Sequence, residues 1–456
     1  MSRTALAPVD LGGPDLTRII LRVALPSVIG LSMNALHHLV DAVYIGALGP
    51  EAVAAVSSAF PLIILLVAVA EGIGVGTASY IARMLGAGKP DRASAAASLA
   101  LLLILPLCLV IMVGLLLTLD DVLRLIGVTE TALPLAMAYA RILIAGCTLL
   151  FAQILCDFIA ISEGNTRFSM WTLIGSFGLN MLLDPLFIFV LDMGVGGAAL
   201  ATVCAQAAAV TAYAVYFALK AGKLRLRLRA LAPRGEILRQ IVTVGASATL
   251  STMLGAFAFI LIYRTAGAYG DGAVAGIGIA LRLLSGGSLP VAGFCLGAQA
   301  VLGFSWGAGD HKRLLRALRI MLTATTAFAV LYAGVMIAFA PAIVSLFTED
   351  AGVAAMAAAA VRAFHSFFAL SGLYMVTVVL LQASGKARLA AALVLAPQGY
   401  LLIPGLLLLP GLWGLDGLLA SQPLAVGLSC ALALVILLWQ TVALRRRPAG
   451  LLPQST

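Results

Sequence analysis

Apolar stretches of about 20 residues or more recur along the whole chain, separated by short polar segments. Each is long enough to cross roughly 30 Å of hydrocarbon as an α-helix, which rises about 1.5 Å per residue. Inside a bilayer the backbone must satisfy its own hydrogen bonds, so stretches of this length predict helices. The pattern predicts twelve spans, at about 17–46, 52–82, 93–119, 133–162, 168–191, 197–219, 237–263, 273–303, 315–341, 352–382, 389–410 and 415–444.

Composition supports a membrane protein. Of the 456 residues, 62% are hydrophobic and only 10% are charged, far from the composition of a soluble domain. The fold class predicted is an all-α integral membrane protein. The six cysteines lie in apolar stretches without metal-ligand spacing, which is typical of buried small side chains. We expect no cleaved signal, because the first apolar stretch is longer than a signal core and lacks a small-residue cleavage site.

The charged loops predict the orientation. If the loops alternate sides, nearly all basic residues collect on one side, and most acidic loop residues lie on the other. The positive-inside rule then places both termini in the cytoplasm of a multi-pass protein of the cell inner (plasma) membrane. The net charge of +9 is therefore explained by membrane orientation, and we expect no nucleic acid partner.

The two halves of the sequence resemble each other at an offset of 221 residues. Gly86-Ala87-Gly88 matches Gly307-Ala308-Gly309, Gly164 matches Gly385, and near the end the offset becomes 220, where Gly194 meets Gly414. Six spans per repeat predict two six-helix lobes related by a pseudo-two-fold axis along the membrane normal. The predicted parts are a cytoplasmic N-terminal segment (1–16), an N-lobe (17–220), a basic cytoplasmic linker (221–236), a C-lobe (237–444) and a cytoplasmic tail (445–456).

Four acidic residues lie well inside the predicted spans, and all four belong to the first repeat: Asp41, Glu71, Asp157 and Asp184. A carboxylate in hydrocarbon is costly, so such residues usually face a cavity and handle ions or substrate. At the offset of 221 they fall on Ile262, Ala292, Val378 and Gly405. The ionisable site is therefore predicted to be confined to the N-lobe.

Helix geometry predicts which of these residues meet. Counting 1.5 Å per residue from the outer ends of spans 1, 5 and 6 puts Asp41, Asp184 and Thr202 at one depth, and Asn180 shares the helix face of Asp184. Asp41, Asn180, Asp184 and Thr202, hereafter the carboxylate site, thus offer oxygen ligands for a proton or for Na⁺. Interhelical hydrogen bonding without ion transport is the alternative for these groups.

Other residues join this hypothesis in secondary roles. Pro26 removes a backbone hydrogen bond in span 1 and predicts a hinge there. His37 lies one helical turn before Asp41 and either tunes it or merely lines the cavity. Glu71 and Asp157 are predicted at a deeper, more cytoplasmic level, as possible additional coupling groups.

The sequence argues against an enzyme. It has no phosphate-binding GxxxxGK[ST] segment, no HExxH zinc motif and no GxSxG nucleophile elbow. We therefore expect no cofactor other than a coupling ion, H⁺ or Na⁺.

The stretch Val40-Asp41-Ala42-Val43-Tyr44-Ile45-Gly46, the segment Glu163-Gly164-Asn165-Thr166, and the region from Asn180 through Asp184-Pro185 to Thr202 resemble the multidrug and toxic compound extrusion (MATE) family, in particular its DinF-type branch. The resemblance covers nearly the whole chain. It implies export of diverse cationic or amphipathic drugs and toxins in exchange for H⁺ or Na⁺ by alternating access, with the carboxylate site as the coupling site and Pro26 as the hinge. We expect a monomer.

The NorM-type branch of that family is expected to carry acidic residues in spans 7 and 10. Span 7 here has no interior carboxylate, and span 10 offers His365 and Gln382 instead. Coupling through the N-lobe is therefore favoured. The alternative function is a lipid-linked precursor flippase of the same superfamily, which the anionic cleft disfavours.

Overall fold

The computed structural model describes residues 7–226 and 235–446, so the predicted terminal segments and linker lie partly outside the described residues. Within them the chain is helical, without a β-strand. The α-helices are α1 (Leu16–Gly46), α2 (Pro50–Gly86), α3 (Pro90–Ile126), α4 (Leu133–Ala145), α5 (Cys147–Ser162), α6 (Thr166–Pro185), α7 (Gly194–Ala218), α8 (Gly235–Gly267), α9 (Asp271–Gly307), α10 (His311–Ala338), α11 (Ala340–Val344), α12 (Ala351–His365), α13 (Ser371–Ala383), α14 (Ala387–Val394) and α15 (Leu402–Arg446).

The spans agree with the predicted pattern. Ten helical segments of the described chain are long and apolar enough to cross a bilayer, and the bent pair α4 and α5 supplies an eleventh. The last segment, Ala387–Arg446, is 60 residues long, and Gly414 interrupts its helical backbone with φ 59° and ψ −133°. It therefore covers the last two predicted spans. The predicted all-α membrane fold is confirmed.

Prolines and glycines mark the irregular turns. α6 ends at Pro185, and a π-helical turn, Leu186–Val190, follows it, as expected where proline removes a backbone donor. The 51° bend between α4 and α5 was not predicted. It lies at Gly146, where a Cβ would come within 2.5 Å of a Val203 methyl group on α7. The helix therefore bends at a residue that contacts α7 closely, and glycine, which has no side chain, leaves room for that contact.

The internal repeat is visible in the backbone. Nine glycines of the described chain have positive φ, and eight of them form four pairs at the repeat offset. The pairs are Gly49 with Gly270, Gly88 with Gly309, Gly164 with Gly385, and Gly194 with Gly414. Gly49 and Gly270 precede α2 and α9, Gly88 and Gly309 follow those same two helices, and Gly164 and Gly385 follow α5 and α13. These pairs therefore mark equivalent helix boundaries in the two halves.

The helices fall into two compact units. The first contains residues up to Leu11 together with Ile29–Gly245, and the second contains Gly12–Val28 together with the chain from Ala246 onward. The boundaries therefore differ from the predicted lobe limits at α1 and α8. In the second unit, α9 packs so closely on α1 at Gly297 that a side chain there would clash. A Cβ on Gly297 would lie only 2.3 Å from the Val23 carbonyl oxygen. In the first unit, α2 packs equally closely on α8, because a Cβ on Gly76 would lie only 2.1 Å from the Ile241 carbonyl oxygen.

The carboxylate of Glu163 fixes the start of the linker within the first unit. Glu163 follows the last residue of α5 and is fully buried. It accepts hydrogen bonds from the Tyr216 hydroxyl and from the backbone N–H groups of Lys223 (2.7 Å) and Leu224 (3.2 Å). A Cβ on Gly222 would lie 2.2 Å from its Oε1, so the linker passes directly over the carboxylate. Burial raises the pKa of Glu163, and these three hydrogen bonds offset part of that rise.

Candidate functional site

Helix α6 carries its polar residues on the face that is buried. It begins at Thr166, where the Asn165 side chain accepts the Phe168 N–H at 3.3 Å as an N-cap. Its buried positions are Thr166, Ser169, Thr172, Ser176, Asn180 and Asp184, which recur every three or four residues. Trp171 and Leu182 lie on the exposed face. This arrangement is expected of a span whose polar face meets protein and whose apolar face meets lipid.

Asn180 connects three elements of the first unit. In one orientation its Nδ2 donates to Asp184 Oδ1 (3.4 Å) and to Thr202 Oγ1 (3.3 Å). With the amide reversed, Nδ2 donates to His37 Nδ1 (2.9 Å) and to Asp184 Oδ2 (3.2 Å), while the amide oxygen accepts from the Thr202 N–H (3.0 Å). The reversed orientation satisfies both ends of the amide with shorter bonds, so we assign it. The structure therefore brings Asn180, Asp184, Thr202 and His37 together.

Asp41 completes the group from α1. Asp184 is fully buried, and it interacts electrostatically with Asp41. Asp41 is half-buried, and its Oδ1 is buried without a hydrogen-bond partner among the described residues. A buried carboxylate oxygen without a partner is costly unless it is protonated or bound by a cation. The donor set, two carboxylates with an amide and a hydroxyl, suits either occupant.

Two aromatic side chains of this site were missed at the sequence level. Phe177 of α6 stacks on His37, with ring centroids 5.0 Å apart and planes 11° apart. Tyr139 of α4 is buried and interacts electrostatically with both Asp41 and Asp184. The repeat carries a signal that could have found Tyr139, because at the offset of 221 it falls on Ala360.

Asp157 belongs to a separate cluster, and Glu71 lies on another helix. The Tyr213 hydroxyl of α7 donates to Asp157 Oδ1 at 2.6 Å, and Tyr213 is fully buried. Glu71 is half-buried on α2. The hydrogen bond from Tyr213 thus ties Asp157 of α5 to α7. A coupling role for either acid stays a prediction.

Pro26 lies within α1, which continues through it as one helix from Leu16 to Gly46. Two residues later, after Val28, the helix leaves the second unit and enters the first. Before that point α1 packs on α9, where Cβ atoms on Gly293 and Gly297 would come within 3 Å of α1 backbone atoms. After it, Gly30 faces Leu173 of α6 at 3.0 Å. The residue predicted as a hinge therefore stands where the helix changes packing partners.

Comparisons with known proteins agree with the family resemblance. A family model described as MatE matches residues 26–186 and 248–404, one segment in each half. The multidrug export protein MepA of Staphylococcus aureus is 26% identical over 425 residues, which cover 92% of this chain and 93% of MepA. A solved structure described as the outward-facing conformation of a multidrug resistance MATE family transporter is 28% identical and covers 98% of this chain and 99% of its own, with a TM-score of 0.88. A structure described as MATE in the bent conformation has a TM-score of 0.89 and 28% identity, and it covers 97% of this chain and 98% of its own.

The match extends over both repeats and over well more than half of the chain. The chain therefore belongs to the MatE family, the multidrug and toxic compound extrusion transporters.

Proposed function

We propose that this protein is a secondary active antiporter that exports amphipathic and cationic compounds in exchange for H⁺ or Na⁺, and that the carboxylate site couples the two movements. MepA is named as a multidrug export protein, which supports a drug or toxin as substrate. The charge asymmetry of the loops supports cytoplasmic termini and a location in the plasma membrane. The protein acts as a monomer and needs no cofactor beyond its coupling ion.

One observation carries the proposal. Asp184 is fully buried and interacts electrostatically with Asp41, whose buried Oδ1 has no partner among the described residues. Two carboxylates in one low-dielectric site repel each other, so one of them takes up a proton or both share a cation. Through Asn180 this change reaches α6, α7 and His37 on α1. Ion binding and helix position are thereby linked.

Alternating access then follows from α1. The carboxylate of Asp41 lies about four turns beyond Pro26 on the same helix. Pro26 lacks the N–H that would complete the helical ladder, so bending there costs less than elsewhere in α1. Neutralising Asp41 removes the repulsion from Asp184 and allows the outer part of α1 to repack against α6. An ion can in this way favour one conformation over the other.

Transport in proteoliposomes tests this function. Purified protein is reconstituted with ethidium as the cationic substrate, and proton and sodium gradients are imposed separately. We expect at least one gradient to drive ethidium against its concentration difference, and ATP to have no effect. Ethidium movement that only equilibrates under both gradients would refute the antiporter.

Substitution of Pro26 tests the hinge. Pro26→Ala restores a backbone donor to α1, and we expect the transport rate to fall roughly tenfold because bending now breaks a hydrogen bond. Equilibrium ethidium binding should change little. Pro106→Ala, in α3 of the first unit, is the matched control and should transport normally. Equal rates for the two variants would show that Pro26 is not a hinge.

A further inference from the structure

The second unit contains a cavity of about 450 Å³ that is lined by residues of α8, α9, α13 and α15. Its walls are largely apolar, with Phe259, Leu284 and Met375 among them, and none of the described residues that line it carries a charge. A volume of this size matches pockets that hold drug-sized molecules. We call it the neutral cavity.

The repeat relates part of the neutral cavity to the surroundings of Asp41 and Thr202 in the carboxylate site. At the offset of 221, Asp41 falls on Ile262, His37 on Ala258 and Phe177 on Gln398, and at the terminal offset of 220 Thr202 falls on Gln422. All four counterparts line the cavity. The position of the Asp41 carboxylate in the first unit is therefore taken by the uncharged Ile262 in the second.

Two polar groups in this region have unmet hydrogen-bonding capacity. Gln422 Oε1 and Ser371 Oγ are buried, and neither has a hydrogen-bond partner among the described residues. Both residues line the cavity. Gln422 Oε1 can accept a hydrogen bond and the Ser371 hydroxyl can donate one, which is the complement of an amide N–H and C=O. A desolvated cation, by contrast, finds no carboxylate here to compensate its charge.

We propose that the neutral cavity is a substrate site for uncharged, aromatic compounds that carry a hydrogen-bonding amide. The aromatic part packs among the apolar residues, and the amide bonds to Gln422 and Ser371. This inference rests on the proposed function in one respect, since it names a substrate class for the same transporter. The two units then divide the work: the first binds the coupling ion and the second binds neutral substrate.

Equilibrium binding of radiolabelled chloramphenicol, an uncharged aromatic amide, tests the site. The measurement uses purified full-length protein in detergent. Val426→Phe fills the cavity from α15, and Gln422→Leu removes the amide while keeping its volume. Ala431→Phe adds the same ring to the exposed face of α15 and serves as the control. Leucine at 422 removes a buried carbonyl oxygen that has no hydrogen-bond partner among the described residues, so this variant is expected to fold as well as the wild type.

We expect saturable binding that Val426→Phe weakens at least tenfold, Gln422→Leu weakens about five- to tenfold, and Ala431→Phe leaves unchanged. Tetraphenylphosphonium, a cation without hydrogen-bond donors, should not displace the label. No binding by the wild type, or equal binding by the Val426→Phe and Ala431→Phe variants, would overturn the site. Unchanged binding by Gln422→Leu, or full displacement by tetraphenylphosphonium, would overturn the substrate class.

This test separates the two proposals, because it needs neither an ion gradient nor transport. If chloramphenicol fails to bind while ethidium transport remains gradient-driven, only the neutral cavity is refuted. If chloramphenicol binds as expected but no gradient drives transport, only the antiport function is refuted.

Discussion

Cells that express the Asp184→Asn protein should lose gradient-driven ethidium efflux and match cells carrying an empty vector. The amide has nearly the shape of the carboxylate and can still bond to Asn180, so the helices should pack as before. It cannot take up a proton or balance a cation, and its charge no longer opposes that of Asp41. Asp41→Asn should give the same loss. The measurement is efflux rate at matched amounts of membrane-inserted protein.

Asp192→Asn is the control for this substitution. Asp192 lies eight residues further along the chain, is exposed, and has a positive φ of 52°, a conformation that asparagine also tolerates. We expect normal efflux from this variant. Efflux that persists in both the Asp41→Asn and the Asp184→Asn proteins would remove the carboxylate site from the mechanism.

Glu163→Ala should lower the free energy of unfolding by about 3 kcal/mol, the largest stability effect we expect. It leaves the Tyr216 hydroxyl and the N–H groups of Lys223 and Leu224 without their buried acceptor. Glu130→Ala is the control, because Glu130 is an exposed partner of Arg124 and such pairs contribute less than about 1 kcal/mol. Thermal unfolding in detergent measures both. Equal unfolding temperatures for the two variants would mean that Glu163 does not hold the linker.

The same carboxylate predicts a pH dependence. The pKa of Glu163 is raised in the folded protein because burial penalises its charge. A raised pKa means that the folded state binds this proton more tightly than the unfolded chain does. Protonated Glu163 therefore contributes stability that is fully present below the ordinary pKa of 4.5. This stability is lost as the pH rises through the pKa of Glu163 in the folded protein. The unfolding temperature of the wild type, compared with that of Glu163→Gln, should therefore fall as pH increases from about 4.5.

Much of the fold follows from the sequence because the bilayer imposes it. Apolar length alone predicts the spans, and the family resemblance is confirmed by the match of both halves. The break at Gly414 was also foreseeable, since Gly194 is its repeat partner. The bend between α4 and α5 was not, because it depends on how closely α7 approaches Gly146. No local pattern in one helix reports the contour of its neighbour.

Part of the candidate site could also be predicted from the sequence, and part could not. Asn180 and Asp184 share a helix face because they are four residues apart. Counting residues along the helices also predicted that Thr202 lies at the same depth. In the structure Asn180 lies within hydrogen-bonding distance of both Asp184 and Thr202. The sequence analysis did not single out Tyr139, because a tyrosine in an apolar helix usually serves only to pack against its neighbours. The neutral cavity also escaped notice, since no single residue in it looks functional. It is recognised only when its lining is compared with the opposite half.

The central claim is that ion movement and substrate movement are coupled at the carboxylate site. Simultaneous recording of ion influx and ethidium efflux in one proteoliposome preparation tests it most directly. We predict that adding ethidium starts a stoichiometric counterflow of H⁺ or Na⁺ in the wild type, and that Asp41→Asn and Asp184→Asn abolish this counterflow. Substrate-dependent ion flux of undiminished stoichiometry in those two variants would contradict the account.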